Sequence, residues 1–239
     1  MQKPKMIMFD YGNTLVYEPV FDGLLGTEAL LKQAVGSKVD PKEFNDLCYK
    51  LYDMGREARE SCVELPISGV FRFALEYLGV ELDMSLEDVE YINWENSTPS
   101  DGPMEHMAET LKWLRENGFR TSVLSNNSFQ GKCIKRRLDK LLPDHEFEFI
   151  ISTADYMVRK PNSMIFELAL RKAKLAPNEL WYCGDSPEFD LIGAAGAGIY
   201  PVWYHSSKPC YYKRDNPDDK PEQGHLYIRD WPQLVEALS

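Results

Sequence analysis

The 239-residue chain carries 27 basic and 38 acidic side chains, and the resulting net charge of −11 argues against binding to nucleic acid or to an anionic membrane. No run approaches the roughly 20 apolar residues that a membrane-spanning helix needs. The apolar run behind the N-terminus is too short for a signal peptide. The five cysteines are scattered and lack paired spacing, so we expect reduced thiols in a cytoplasmic protein.

Short apolar runs alternate with helical patterns along most of the chain. The first run, residues 5–9, is typical of a buried parallel strand and ends at Asp10. From about residue 104 the alternation becomes regular, with further strands predicted at 119–124, 147–151, 180–183, 199–203 and 226–228. Helices are predicted between most of these strands, one of them starting at Pro161, and after the last strand. This alternation predicts an α/β fold, with a Rossmann-like parallel sheet and helices on both faces.

The segment from residue 17 to residue 98 interrupts this alternation. Its apolar spacing predicts several helices, around residues 24–31, 41–59, 70–78 and 85–94. A turn rich in proline and glycine at 99–103 then leads back to the sheet. We therefore predict a catalytic core of residues 1–16 and 99–239 and a small all-helical cap at 17–98. A plain structural extension of the core would produce the same pattern.

Polar residues occupy the ends of the predicted strands. They are Asp10 after the first strand, Ser125 and Asn126 after the second, Lys160 before a helix, and Asp185 and Asp190 after the strand at 180–183. Taken singly, each residue could be a helix cap or part of a turn. Because ligands of an open parallel sheet bind beyond the carboxyl ends of its strands, the whole set predicts a catalytic site.

These segments resemble, in the same order, the four motifs of the haloacid dehalogenase-like hydrolases. The motifs are a loop with an Asp nucleophile, a strand end with a hydroxyl residue and Asn, an isolated Lys, and a Gly-Asp segment with a further Asp. The resemblance covers residues 1–16 and 99–239, and the helical insertion matches the position of the family's smaller cap. It implies a Mg²⁺-dependent hydrolase that acts on a phosphorylated small molecule.

The resemblance assigns roles to the residues that would contact the substrate. Asp10 would attack the phosphorus atom and form an aspartyl-phosphate that water later hydrolyses. Lys160 would supply a fixed positive charge beside Asp10, and Ser125 and the amide of Asn126 would donate hydrogen bonds to the transferring group. The expected catalytic residues are thus Asp10, Lys160 and Ser125, and the expected substrate-binding residues are Ser125, Asn126 and Lys160.

The resemblance also implies a magnesium site. Its ligands would be a carboxylate oxygen of Asp10, the main-chain carbonyl of Gly12 and Asp185. Asp190 would lie close behind and hold a metal-bound water or Lys160 in place. A locally cationic site is what an acidic chain needs in order to attract a phosphorylated metabolite.

The sequence departs from the family pattern at one functional position. Phosphatases of the family carry a second Asp two residues after the nucleophile, where it protonates the leaving oxygen and then activates water. This chain has Gly12 there, and Asn13 in place of the usual glycine. Loss of such an acid–base group typically costs about 10²–10⁴ in rate. Tyr11, Tyr17 and Glu18 are candidates for a substitute only because they are nearby in sequence.

Several hypotheses explain this change. The enzyme acts on esters whose leaving group needs no protonation, such as acyl or aryl phosphates, or another residue supplies the proton. Alternatively, it cleaves phosphonates, acts as a dehalogenase, or binds a phosphorylated metabolite with little turnover. A dehalogenase needs no metal, so the presence of both Asp185 and Asp190 argues against that reaction.

The stretch 205–225 is polar, lacks periodicity and exceeds the usual length of connections in compact domains. One hypothesis is that Tyr211, Tyr212, Lys213 and Arg214 reach a substrate or a partner chain. The other is that the stretch is a plain surface loop. The sequence predicts no oligomeric state.

Overall fold

The computed structural model describes residues 3–206, 208, 210, 211 and 224–239. The strands are β1 (Met6–Phe9), β2 (Val16–Tyr17), β3 (Gly102–Pro103), β4 (Arg120–Ser125), β5 (Ile150–Ser152), β6 (Leu180–Gly184), β7 (Tyr200–Tyr204) and β8 (Leu226–Ile228). Six of them form one sheet in the order β5-β4-β1-β6-β7-β8, and every neighbouring pair is parallel. The predicted strands are therefore present, close to their predicted positions.

The α-helices divide into an inserted group and a group that accompanies the sheet. The inserted helices are α1 (Gly23–Leu31), α2 (Pro41–Met54), α3 (Arg56–Glu60), α4 (Ile67–Tyr77) and α5 (Leu86–Ser97). The helices of the sheet are α6 (Met107–Glu116), α7 (Gly131–Leu141), α8 (Ser163–Ala173), α9 (Ile192–Gly196) and α10 (Pro232–Leu238).

The six-stranded sheet is covered by helices on both faces. Ile7 and Phe9 of β1 pack into one apolar cluster with residues of α6, α7 and α10. Met6 and Met8, which point to the opposite face, pack into a second cluster with residues of α8. Because both faces of β1 are buried, its sequence is a continuous apolar run rather than an alternating one. The prediction of a Rossmann-like α/β fold is confirmed.

The inserted helices α1–α5 lie between β2 and β3, which pair with each other in antiparallel fashion. They bury an apolar cluster of their own that contains Leu30, Phe44 and Phe71. Gly26 allows α1 to pack closely on α5, because a β-carbon there would lie 2.3 Å from the main-chain oxygen of Asn93. The insertion thus has a small core, and its action as a cap domain of residues 17–98 stays a prediction.

Three predicted helices differ in detail from the observed ones. The helix expected to start at Pro161 begins at Ser163, because the side chain of Asn162 caps it by accepting a hydrogen bond from the N–H of Met164. The helical pattern at 41–59 is divided at Gly55, a residue with low helix propensity. The helix expected at 190–197 follows a π-helical turn at 187–191. These differences leave the sheet unaffected.

Part of the sequence interpretation concerns residues beyond the described ranges. Tyr212, Lys213 and Arg214, the suggested contacts in the stretch 205–225, lie outside the described residues, whereas Tyr211 is described. Across the described ranges, no helix combines the length and apolar character needed to cross a membrane.

Candidate active site

The carboxyl ends of β1, β4 and β6 meet at one edge of the sheet. Because β1 lies between the other two strands, residues far apart in sequence converge there. A cavity of about 820 Å³ lies between this edge and the helical insertion. It is lined by all the predicted site residues, which are Asp10, Gly12, Ser125, Asn126, Lys160, Asp185 and Asp190. The structure therefore brings together every residue that the sequence singled out for this site.

The ammonium group of Lys160 connects two carboxylates. Its Nζ lies 2.8 Å from Oδ1 of Asp10 and 2.6 Å from Oδ1 of Asp190. It also donates a 2.8 Å hydrogen bond to the hydroxyl of Tyr182, which in turn donates to the main-chain oxygen of Leu124 at 2.7 Å. The side chain of Lys160 is buried, so these partners hold it in one position against Asp10.

The side chain of Asn126 fixes the main chain of Lys160. Its Oδ1 accepts a 2.8 Å hydrogen bond from the N–H of Lys160, and its Nδ2 donates a 3.0 Å hydrogen bond to the main-chain oxygen of the same residue. The peptide bond between Lys160 and Pro161 is cis. The residue that follows β4 thus fixes the main chain of the loop that carries Lys160.

Three carboxylates gather beside Lys160. Oxygen atoms of Asp10, Asp185 and Asp190 lie within 4.8 Å of one another, and all three residues are buried. Gly184, the last residue of β6, makes room for this arrangement, because a β-carbon there would lie 2.3 Å from the carboxylate of Asp190. The main-chain N–H of Ser186 donates to Oδ2 of Asp190 at 2.9 Å, so both oxygens of Asp190 have partners.

Burial and the neighbouring charges act in opposite directions on the pKa values of Asp10 and Lys160. Burial raises the pKa of Asp10 to about 6, although the nearby Lys160 charge acts to lower it. Burial alone would lower the pKa of Lys160, but the charges of Asp10 and Asp190 outweigh this effect and raise it. The lysine is therefore positively charged at neutral pH.

The donor set fits a divalent cation. Three carboxylates and one ammonium group carry a formal net charge of −2, and the site is largely buried, so this charge needs compensation. Carboxylate oxygens suit hard cations such as Mg²⁺, which usually binds through one or two carboxylates together with substrate phosphate oxygens. Gly12 lines the same cavity as Asp10 and Asp185, and its main-chain carbonyl is a further potential oxygen donor.

Ser125 is the last residue of β4, and it is a buried residue that lines this cavity. Its side chain makes no hydrogen bond to another of the described residues, in contrast to Asn126 and Lys160. An unengaged hydroxyl beside a cationic side chain can donate to an oxygen of a bound anion.

A buried arginine connects the loop after β1 to the helical insertion. Arg137 of α7 donates to the hydroxyl of Tyr11 at 3.0 Å, and it pairs with Glu18 at 3.0 Å, with Glu95 at 3.0 Å and with Asp101. Glu18 and Asp101 flank the two short strands through which the chain enters and leaves the insertion. Burial raises the pKa of Glu18 to about 7. Arg137 therefore pairs with acidic residues on both chain segments that join the insertion to the sheet.

A second contact between the insertion and the sheet involves Glu64. This fully buried carboxylate pairs with Arg159 and accepts 2.9 Å hydrogen bonds from the hydroxyl groups of Ser128 and Thr153. Arg159 directly precedes Lys160, so the insertion contacts the loop that carries the proposed catalytic lysine.

Sequence reasoning missed several residues of this site. Tyr182, Glu64 and Arg137 were not identified, and Asn13 was noticed only as a departure from the family pattern. A tyrosine within a fully buried strand was the available signal for Tyr182, because its hydroxyl needs a partner there. Nothing in the local sequence distinguishes Glu64 or Arg137 from exposed charged residues on helices and loops.

Comparison with known proteins places the chain in a family. The family model of haloacid dehalogenase-like hydrolases matches residues 40–203. The glyceraldehyde 3-phosphate phosphatase of Pyrococcus furiosus is 25% identical over 100% of this chain and 94% of its own length. The phosphoserine phosphatase of Thermus thermophilus is 34% identical over 71% of this chain and 64% of its own length.

The fold has clear counterparts among solved structures. The structure of 2-haloacid dehalogenase from Pseudomonas syringae pv. Tomato DC3000 has a TM-score of 0.62 and 22% identity, with 98% of each chain covered. At this identity the likeness shows the fold alone. With the family match and the phosphatase relatives, the chain belongs to the haloacid dehalogenase-like hydrolases. It is an enzyme, a hydrolase of the phosphatase type.

Proposed function

We propose that the chain is a Mg²⁺-dependent phosphatase that hydrolyses a monophosphate ester of a small molecule through an aspartyl-phosphate on Asp10. The observation that carries this proposal is the position of Asp10. Its carboxylate lies 2.8 Å from the ammonium group of Lys160 and shares a buried acidic group with Asp185 and Asp190. The phosphatase relatives, named for activity on glyceraldehyde 3-phosphate and phosphoserine, support a phosphorylated small molecule as substrate.

Asp10 is the nucleophile of this proposal. An oxygen of its carboxylate attacks phosphorus, and the bond to the leaving oxygen breaks with its electron pair on that oxygen. Water then attacks phosphorus, which restores the carboxylate and releases inorganic phosphate. Lys160 stays positively charged and stabilises the phosphoryl oxygens, and Ser125 and the main-chain amide of Asn126 donate hydrogen bonds to them.

Asp10, the main-chain carbonyl of Gly12 and Asp185 would hold the metal, and the net charge of the acidic group supports this choice. When bound, Mg²⁺ would neutralise charge on the phosphoryl group and on the nucleophile. Asp190 belongs to the same acidic group, but both of its oxygens already accept hydrogen bonds. We therefore assign Asp190 to holding Lys160 and to completing the metal site from behind.

The helical insertion, residues 17–98, acts as a cap in this proposal, over a core of residues 1–16 and 99–239. Support comes from the separate apolar cluster of the insertion and from the cavity, which residues of both parts line. A cap in this position excludes water from the site while phosphate is transferred.

Two alternatives suggested by Gly12, a dehalogenase and a protein that only binds a phosphorylated metabolite, find less support. The buried acidic group argues against a metal-independent dehalogenase. The pairing of Asp10 with Lys160 argues against a protein that only binds a phosphorylated metabolite, because binding alone needs no nucleophile.

The test is phosphate release from phenyl phosphate, with Mg²⁺ and with a chelator, by the native protein and by Asp10→Asn. Asp83→Asn, a change of the same chemistry at an exposed residue of the insertion, is the matched control. We expect release that requires metal, is lost in Asp10→Asn and is unchanged in the control. Release that survives the chelator or Asp10→Asn would contradict the proposal.

A further inference from the structure

The cavity extends well beyond the space that a phosphoryl group needs. Its volume of about 820 Å³ falls in the range of pockets that hold drug-sized ligands, about 300–1,000 Å³. One end is the acidic group with Lys160. The other end is walled by the insertion, so a leaving group attached to the phosphoryl group would project against helices α1, α2, α4 and α5.

Aromatic side chains dominate this distal wall. The insertion lines the cavity there with Phe21, Tyr49, Tyr52, Phe71 and Trp94, and Phe129, from the segment after β4, is a further aromatic lining residue. The rings of Trp94 and Phe129 stack on each other with centroids 4.5 Å apart. Flat aromatic groups gain stacking and edge-to-face contacts in such surroundings, beyond the gain from burying their area.

The polar groups of the distal wall are neutral or acidic. Thr27, Asn45 and Asn93 offer hydroxyl and amide groups, and Glu18 adds a carboxyl group to the same lining. Among the described lining residues, the arginine and lysine side chains are those of Arg159 and Lys160 alone.

Both cations of the lining already have carboxylate partners. Arg159 pairs with Glu64, and Lys160 pairs with Asp10 and Asp190. A leaving group that carries a carboxylate would therefore lose water without gaining a cation, which is strongly unfavourable.

Gly12 adds an independent constraint on the leaving group. No side chain at this position can protonate the leaving oxygen, so the reaction favours an oxygen that departs readily as an anion. A phenolic oxygen, with a pKa of about 10, is far more stable as an anion than the oxygen of an alkyl alcohol. The aromatic distal wall, which offers no unpaired arginine or lysine among the described lining residues, and the absence of an acid at position 12 thus both favour the phosphate ester of an uncharged phenol.

We propose, on the basis of the phosphatase function above, that the substrate is the phosphate monoester of an uncharged phenol. Asp10 attacks phosphorus, the bond between phosphorus and the aryl oxygen breaks, and the electron pair leaves on the aryl oxygen. The aryloxide takes a proton from water. A second water hydrolyses the aspartyl-phosphate, so the products are the free phenol and inorganic phosphate.

The first test compares kcat/KM for three matched esters with Mg²⁺ present: phenyl phosphate, 4-carboxyphenyl phosphate and benzyl phosphate. We expect phenyl phosphate to exceed the carboxylate-bearing ester by about tenfold or more and the benzyl ester by about 10²–10⁴. Equal values, or a preference for 4-carboxyphenyl or benzyl phosphate, would overturn this inference while leaving the phosphatase function intact. No metal-dependent release from any ester would instead overturn the phosphatase function.

The second test locates the aromatic ring with Tyr49→Ala. Tyr49 lines the cavity but is 50% exposed, so its loss should leave the fold intact. We expect KM for 1-naphthyl phosphate to rise about tenfold, whereas KM for acetyl phosphate, which has no ring, stays unchanged. Tyr77→Ala, at an exposed residue outside the cavity lining, should change neither. An unchanged KM for 1-naphthyl phosphate, or an equal rise for both substrates, would contradict the inference.

Discussion

The side-chain amide of Asn13 donates a 2.8 Å hydrogen bond to Oδ2 of Asp185, across 172 residues of sequence. This contact joins the loop after β1 to the acidic segment after β6. Asn13 has a φ of 50°, a conformation that asparagine adopts more readily than most residues other than glycine. The residue that stands in place of the family's usual glycine therefore orients a proposed metal ligand.

Replacement of Asn13 by glycine should weaken metal binding without disturbing the loop. Asn13→Gly keeps the positive φ accessible and removes only the amide, so we expect the Mg²⁺ concentration for half-maximal phosphate release to rise about 10- to 100-fold. Asn13→Ala should show the same rise together with a lower Tm, because alanine is strained at this φ. An unchanged metal requirement in Asn13→Gly would show that the contact does not support the metal site.

Gly12→Asp should restore the missing acid. The new carboxyl group would protonate an alkyl leaving oxygen, so we expect kcat/KM for benzyl phosphate to rise about 10²-fold or more, with little gain for phenyl phosphate. Gly12→Asn is the matched control, because it has nearly the same size and no titratable proton. A gain shared by Gly12→Asn, or no gain in Gly12→Asp, would contradict the assignment of this position.

Arg137 should be essential for stability. Arg137→Met leaves Glu18, Glu95 and Asp101 buried or half-buried without their shared cation, and we expect a loss of about 3–5 kcal/mol in urea unfolding. The neighbouring Arg136 pairs with Asp88 at the protein surface, so Arg136→Met should cost no more than about 1 kcal/mol. Similar losses of unfolding free energy in the two variants would mean that the buried ion pairs of Arg137 stabilise the protein no more than a surface ion pair does.

The raised pKa of Glu18 predicts a pH-dependent stability. Its pKa is about 7 in the folded protein, whereas the ordinary value for a glutamate is 4.5. Between pH 4.5 and pH 7 the folded protein therefore holds a proton on Glu18 that the unfolded chain has released. The contribution of Glu18 to stability should therefore fall by about 3 kcal/mol as pH rises through this window. The charge of Arg137 and the hydrogen bond from Trp94 act to lower the pKa of Glu18, whereas the charge of Asp101 acts with burial to raise it.

Glu18→Gln isolates this effect. Unfolding in urea at pH 4.5, 6 and 8 should show the native protein losing stability relative to Glu18→Gln as the pH rises. A constant difference between the two proteins across this range would mean that Glu18 does not bind a proton there.

The elements of the sheet were predictable because buried parallel strands leave a simple signal. The run at 5–9 and the strand at 226–228 are apolar or β-favouring segments between breaks, and the structure places β1 and β8 there. The exact start of α8 was not predictable, because it depends on whether Asn162 or Pro161 begins the helix. The order of strands also requires knowledge of the packing between distant helices.

The site residues at the strand ends were predictable for the same reason, since parallel strands align their carboxyl ends. Contacts that depend on packing between the insertion and the sheet were not. Arg137 lies in a polar helix and Glu64 is a charged residue in a loop, and such residues usually face water; only the packed structure shows that both are fully buried. Their partners lie tens of residues away, so no local pattern reveals the pairs.

The central claim is that Asp10 becomes phosphorylated during turnover. The most direct measurement is mass spectrometry after rapid acid quenching and borohydride reduction of the protein during turnover of phenyl phosphate with Mg²⁺. We expect reduction of Asp10 to homoserine in the native protein and no such product without substrate or in Asp10→Asn. Phosphate release without modification of Asp10, or with the phosphoryl group on another residue, would contradict the account.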